Sequence, residues 1–228
     1  LNAPKATPYL LSLGLLAVTS CAGPHHDERE EVHQHGDHQH HHTSAESWAA
    51  ALDDPERAGR QKPGEVVAAM TLREGMVVAD VGAGTGYFEP HLSRAVGASG
   101  RVLALDIEPD LVRHMQRRFD EAGLGNVEAR LVAPDDPGLT AGSVDRVLIV
   151  DTWHHMEGRV DYARKLREAL TSAGQLMIVD YLVEAERGPP PEMRVSAEAV
   201  MAELKAAGFT ARVVPETLPD QFIVVGEP

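Results

Sequence analysis

The sequence predicts an α/β fold, with a seven-stranded, mostly parallel sheet and helices on both faces. Three observations predict it. Near-continuous runs of Val, Leu and Ile recur along the chain, as strands covered on both faces require. Segments with apolar residues at helical spacing separate those runs. The first run ends in Asp80 and the glycine-rich turn Gly82-Ala83-Gly84-Thr85-Gly86, and a second run about twenty residues on ends in Asp106. That arrangement suits a nucleoside-containing ligand held at the carboxyl ends of two adjacent parallel strands.

The elements follow in order. Residues 45–52 read as a short helix, and Asp54-Pro55 and Lys62-Pro63 as helix starts with proline in the first turn. Val66, Val67 and Met70 give the helix after Lys62 an apolar face. Strands are expected at 76–81, 101–106, 127–132, 144–150, 175–180, 211–214 and 221–225. Leu111, Met115 and Phe119 share one helical face between the second and third strands. Val160, Ala163, Leu166 and Leu170 share another between the fourth and fifth. Ser196 is placed to cap the last helix, Val200 and Leu204 to face inward, and Gly208 to end it. No internal repeat is visible.

Composition narrows the function. A length of 228 residues suits one good core plus a tail. With 35 acids against 21 bases the formal net charge is −14, a surface that repels phosphate backbones and argues against a nucleic-acid partner. Aromatics, at 4%, are too few for base-stacking platforms. Cys21 is the single cysteine, so the folded part has neither disulfides nor thiol chemistry.

The chain divides into 1–21, 22–43 and 44–228. In the first part an apolar stretch at 9–18 is too short to span a bilayer but suits an export signal. The ending Val18-Thr19-Ser20-Cys21 resembles a bacterial lipobox, which implies lipidation at Cys21 and an envelope location; Ala22 after it favours the outer membrane. If the signal is not used, the location is cytoplasmic. The second part holds eight of the twelve histidines, between His25 and His42. It cannot bury enough apolar area to fold alone. It reads as a solvated tether, or as a loose binder of Zn²⁺, Cu²⁺ or Ni²⁺; no fixed metal-ligand set can be named.

The glycine spacing is G-x-G-x-G, with Tyr87 and Phe88 following directly, and Asp80 stands two residues upstream. Together these resemble the first motif of class I S-adenosylmethionine-dependent methyltransferases. The likeness covers roughly 160 residues. It implies a Rossmann-like sheet whose last strand inserts antiparallel, S-adenosylmethionine as cofactor, and a small-molecule acceptor. It assigns Gly82, Ala83, Gly84 and Gly86 to the loop under the cofactor, and Asp80 to orienting that loop or reaching the α-amino group. Asp106 would accept both ribose hydroxyls, and Ile107 would pack on the adenine. The acid that many members carry after the third strand falls near Ala133; Asp135 is the substitute chosen, with a plain solvated turn as the other reading. Asp80 and Asp106 as mere helix caps is the bland alternative for the motif as a whole.

After the fourth strand comes Asp151-Thr152-Trp153-His154-His155-Met156. In the resembling enzymes this loop runs beside the transferable methyl group, and a His-His pair is common in the ubiquinone/menaquinone-biosynthesis type. His154, His155 and Asp151 are therefore the candidate bases, and Trp153 could line the pocket or belong to the core. The loop after the fifth strand carries Gly188-Pro189-Pro190-Pro191, a stiff crossing beside the acceptor site. Gln61-Lys62-Pro63 with Gly86-Tyr87 also resembles protein isoaspartyl methyltransferases, the second-ranked acceptor class. The rival from another class is a non-catalytic, metal-handling envelope lipoprotein that reuses the fold.

Overall fold

Strand alternation divides the buried side chains between two faces of one sheet. The computed structural model describes residues 56–228. The expected leader, lipobox, histidine-rich stretch, 45–52 helix and Asp54-Pro55 start lie outside those residues. Two helices come first, α1 (Arg57–Gln61) and α2 (Pro63–Ala69). Then β1 (Val77–Val81), α3 (Glu89–Val96), β2 (Arg101–Asp106), α4 (Pro109–Glu121), β3 (Val127–Leu131) and β4 (Val144–Val150) alternate. A short 3-10 turn (Trp153–His155) leads to α5 (Arg159–Ala169) and β5 (Leu170–Tyr181). A second such turn (Pro191–Met193), α6 (Ala197–Ala206), β6 (Thr210–Val214) and β7 (Gln221–Glu227) complete the chain.

The seven strands lie in the order β3-β2-β1-β4-β5-β7-β6. β7 runs antiparallel to both β5 and β6, and the other pairs are parallel. The predicted sheet, including its antiparallel insertion, is the one observed.

Period-two alternation explains the layers. Ala79, Leu103, Val147, Ile178 and Val224 point to the face covered by α5 and α6, where Leu166, Val200 and Leu204 meet them. Val78, Val102, Leu148, Val179 and Val225 point to the other, covered by α2, α3 and α4 through Val66, Leu92, Met115 and Phe119. The apolar helical faces read from sequence at Leu111–Met115–Phe119 and Val200–Leu204 are buried accordingly. Ser196 caps α6 by accepting from the Ala199 N–H, and Gly208 follows its end at φ +96°.

One boundary differs. Leu170, expected on the helical face, leaves the helix with extended backbone and opens β5 opposite Val144, well before 175. The register shifts between Val144 and Arg146, which lets the chain turn from helix to strand without a loop. Leu170 is still buried, so its apolar character marked the core correctly but not the element.

The chain winds outward from β1 through β2 to β3 and then crosses back to β4 on the other side of β1. Connections on either side of that reversal diverge and leave a crevice at the strands' carboxyl ends.

Candidate functional site

A cavity of about 830 Å³ opens at that reversal, where Val81, Asp106 and Val150 end β1, β2 and β4. At one end lies the glycine turn. The N–H groups of Gly82 and Ala83 donate to the Leu105 carbonyl at 2.8 and 3.0 Å, which ties the turn to β2. Gly82 sits at φ +76°, and a Cβ there would lie 2.4 Å from the Thr152 side chain. Gly86, at φ +80°, would place one 2.6 Å from Phe119 Cε1. At these two positions glycine serves the left-handed backbone and close approach of the protein to itself.

Asp106 projects from the end of β2 and is 7% exposed. Its Oδ2 accepts from the Gly84 N–H at 2.9 Å and its Oδ1 from the Glu108 N–H at 3.0 Å. Burial raises its pKa, and these backbone donors oppose the rise. Each carboxylate oxygen keeps a second lone pair, so the group can still accept two hydroxyls from the cavity side. Ile107 stands beside it half exposed, an apolar surface at the rim of the same cavity. Asp135 also borders the cavity; its carbonyl accepts from Lys165 Nζ, while the Asp136 carboxylate turns to the Gly138 N–H. The site therefore offers a carboxylate with two open acceptor positions, glycine backbone and an apolar ledge, which fits a nucleoside with vicinal hydroxyls.

Asp80 is not in the cavity wall. It is 3% exposed beneath the glycine turn, against Glu89 at the start of α3, which is fully buried. Burial, foremost, drives both carboxyls upward.

The opposite end is built around Asp151. Its backbone takes φ +52°, rare for a non-glycine residue, and its N–H donates to the Val179 carbonyl. Its carboxylate accepts from Gln61 Nε2 at 2.5 Å and from Gln221 Nε2, and Tyr181 is near enough to feel its charge. Burial, with a contribution from Asp180, pushes the Asp151 pKa up to about 7; Arg57 and the Gln221 amide oppose it. The same surroundings push Tyr181 up to about 12, burial first and Asp151 next.

The two histidines separate. The His154 side chain is 2% exposed, with Nδ1 2.8 Å from Asp180 Oδ1 and its backbone N–H on Asp180 Oδ2. His155 lies in the cavity wall, its ring 4.0 Å from that of His154, and burial and that neighbour hold its pKa below the usual imidazole range. Trp153 is core: fully buried, with its indole N–H on Glu203 Oε2 at 2.8 Å.

Several residues of the site carried no signal in the sequence. Glu89 reads there as an acid in a helix's first turn, favourable on a solvent face as well. Gln221 opens a strand, and Gln61 drew notice only beside Lys62 and Pro63. Arg194 was unmarked, yet its guanidinium donates to the carbonyls of Val183, Ala185, Arg187 and Pro189 and so shapes the loop that brings Arg187 and Gly188 to the cavity.

Comparison with known proteins agrees with this geometry. A methyltransferase-domain family model matches residues 78–174, from β1 into β5. The protein-L-isoaspartate O-methyltransferase of Methanothrix thermoacetophila is 40% identical over 109 residues, 48% of this chain and 49% of that protein. The ubiquinone/menaquinone biosynthesis C-methyltransferase of Hydrogenovibrio crunogenus is 27% identical over 111 residues, 48% of this chain and 44% of that one. The chain thus spans about half the length of these curated relatives. The crystal structure of a SAM-dependent methyltransferase from Aquifex aeolicus superposes with a TM-score of 0.74 at 32% identity, covering 78% of this chain and 95% of the other. With likeness of that extent carried by the strands that frame the cavity, this chain belongs to the class I S-adenosylmethionine-dependent methyltransferases.

Proposed function

We propose that the protein transfers a methyl group from S-adenosylmethionine to a small organic acceptor, with Asp151 as the base that takes the acceptor's proton. The observation that carries this reading is Asp151 itself. It is a half-buried carboxylate whose pKa is pushed up to about 7, in a strained backbone conformation, in the wall of the same cavity as Asp106. Buried groups whose pKa is moved close to the working pH are suited to proton transfer.

When bound, the cofactor supplies a methyl group already activated on a sulfonium. The chain's own residues do the rest. Asp106 would hold the ribose hydroxyls, the Gly82–Gly86 backbone would lie under the ligand, and Ile107 would cover the base. Gln61 and Gln221 aim the Asp151 carboxylate, whose oxygen receives the proton as the acceptor atom gains the methyl. His155, kept neutral by its surroundings, lines the acceptor side, while the His154–Asp180 pair holds the loop in place. Orientation of the two reactants supplies several kcal/mol of rate without further chemistry.

The test starts with calorimetric titration of S-adenosylmethionine and S-adenosylhomocysteine into the full-length protein, followed by an acceptor screen with Asp151→Asn beside the parent. Micromolar binding and transfer to a phenol, enol or similar acid, lost in the variant, is the expected result. No binding by a folded protein would sink it.

A second reading is favoured by the 40% identity to an isoaspartate O-methyltransferase. A carboxylate acceptor arrives ionised and needs no base. Methylation of an isoaspartyl peptide that survives Asp151→Asn would support this reading over the first.

We further propose that the protein is exported and lipidated at Cys21, supported by the apolar 9–18 stretch and the Val-Thr-Ser-Cys ending. Radiolabelled palmitate incorporated by the parent but not by Cys21→Ala is the expected result. An unlabelled parent would overturn lipidation at Cys21.

A further inference from the structure

Beneath the glycine turn the chain buries two carboxyl groups against each other. Asp80 is the fourth residue of β1 and Glu89 the first of α3, with the Gly82–Gly86 turn between them. Glu89 is fully buried and Asp80 nearly so. Neither Glu89 oxygen has a hydrogen-bond partner of good geometry; its own backbone N–H acts on it only weakly, and its carboxyl is set against that of Asp80. An acid in the first turn of a helix ordinarily faces water. Turned inward without a well-placed donor, it costs stability unless it carries a proton.

Two carboxyls in contact away from water cannot both be charged, and the arrangement is satisfied when one proton bridges them. The charged groups around the pair are Arg57 from α1, Arg118 from α4 and Asp106 from β2. The arginines favour ionisation and Asp106 opposes it. Burial outweighs the arginines, so both carboxyls are displaced upward from the usual acid range.

We propose that Glu89 is a positioning residue for the cofactor end, holding a shared proton against Asp80 in the empty protein, and that this proton is released when the cationic cofactor settles on the glycine turn. The proposal rests on the S-adenosylmethionine reading of the site. A positive charge arriving above the pair favours its ionised form. By linkage the cofactor then binds more tightly as pH rises, and Asp80 takes its full charge only with the ligand in place. Turn and charge are thereby set together, since the two carboxyls flank, in the chain, the loop that lines the cavity.

The experiment is calorimetric titration of S-adenosylmethionine into the full-length protein, between pH 6 and 8.5, in buffers of different ionisation enthalpy. The parent is compared with Glu89→Gln, whose amide keeps the shape and donates to Asp80. The parent should release part of a proton and tighten by up to about ten-fold per pH unit. Glu89→Gln should lose that release and bind with nearly constant affinity. Asp106 can also shed protons near a ligand, so only the part lost in the variant counts. A parent that binds without proton exchange, or a variant that releases as much as the parent, overturns the proposal.

A thermal melt of the empty proteins gives a readout that needs no ligand. A carboxyl whose pKa is raised on folding binds more protons folded than unfolded, so its contribution falls as pH rises from the unfolded value of about 4 through the folded one. The parent's Tm should therefore fall more steeply than that of Glu89→Gln between pH 5 and 8.5. Parallel curves overturn the shared proton. Failure of the parent to bind at any pH defeats the cofactor reading and the coupling that rests on it, while the melts still decide whether the pair holds a proton.

Discussion

Two parts of the cavity wall each turn on one aspartate at the end of a strand, Asp106 buried and Asp151 half-buried, yet the two are built from different distances along the chain. Asp106 is held by backbone N–H groups of Gly84 and Glu108, within 22 residues of itself and across adjacent strands. Asp151 is held by the side chains of Gln61 and Gln221, 90 and 70 residues away in opposite directions. Backbone donors are independent of side-chain identity and leave the acid able to accept more. Side-chain donors from two distant segments fix one orientation of the acid, and each depends on a specific residue. The first design suits a group shared by every member that uses the same cofactor. The second suits an acceptor site that differs among them.

Asp151→Asn breaks the acceptor end while leaving the cofactor end intact. Turnover should fall by about 10²- to 10⁴-fold, as for loss of a general base, with cofactor affinity changed less than about two-fold. Single-turnover transfer beside calorimetry checks this. Equal losses of binding and rate would show that the two ends are not separable.

Asp106→Ala is the reciprocal change. On the proposed reading it removes two charge-assisted hydrogen bonds to the ribose, worth roughly 1.5–3 kcal/mol each. S-adenosylhomocysteine binding should weaken by ten-fold or more, about 1.4 kcal/mol or above. Direct titration measures it, and unchanged affinity would remove Asp106 from the site.

The pH profile sharpens the contrast. Asp151 must be unprotonated to act, and its pKa is pushed up to about 7, so kcat with saturating cofactor should fall as pH drops below 7 and level off above it. Gln221→Leu removes a donor that favours the charged form, and should move the midpoint to higher pH by up to about one unit. A midpoint that stays where it was would mean that another group sets the profile. The smallest effect is expected at His155→Ala. It lines the cavity without sitting at the acid, and a several-fold loss, read from initial rates, is the outcome expected; a loss as large as that of Asp151→Asn would exchange their roles.

Much of this molecule was legible in the sequence because its signals are local. The strand runs, the acid–glycine grammar from Asp80 to Gly86, and Asp106 about twenty residues on all report backbone geometry between neighbours. The cap at Ser196 is equally local. The misreading at Leu170 shows the limit: an apolar residue facing the core fits a helix end and a strand start equally, and only pairing with Val144 decides. At the His-His loop, identity could not say which imidazole faces the cavity. Asp180, 26 residues downstream, draws His154 inward and leaves His155 in the wall.

What the sequence determined by itself is the sheet, its helices and the glycine turn beside Asp106, since hydrophobic periodicity and turn chemistry act over a few residues and constrain the backbone directly. Tertiary structure alone decided that Trp153 is core, that Glu89 faces Asp80, and that Gln61, Tyr181 and Gln221 converge on Asp151. Each of those outcomes depends on where segments far apart in the chain meet in space. Burial among such neighbours, more than residue type, sets whether an acid is charged, shared or poised to take a proton.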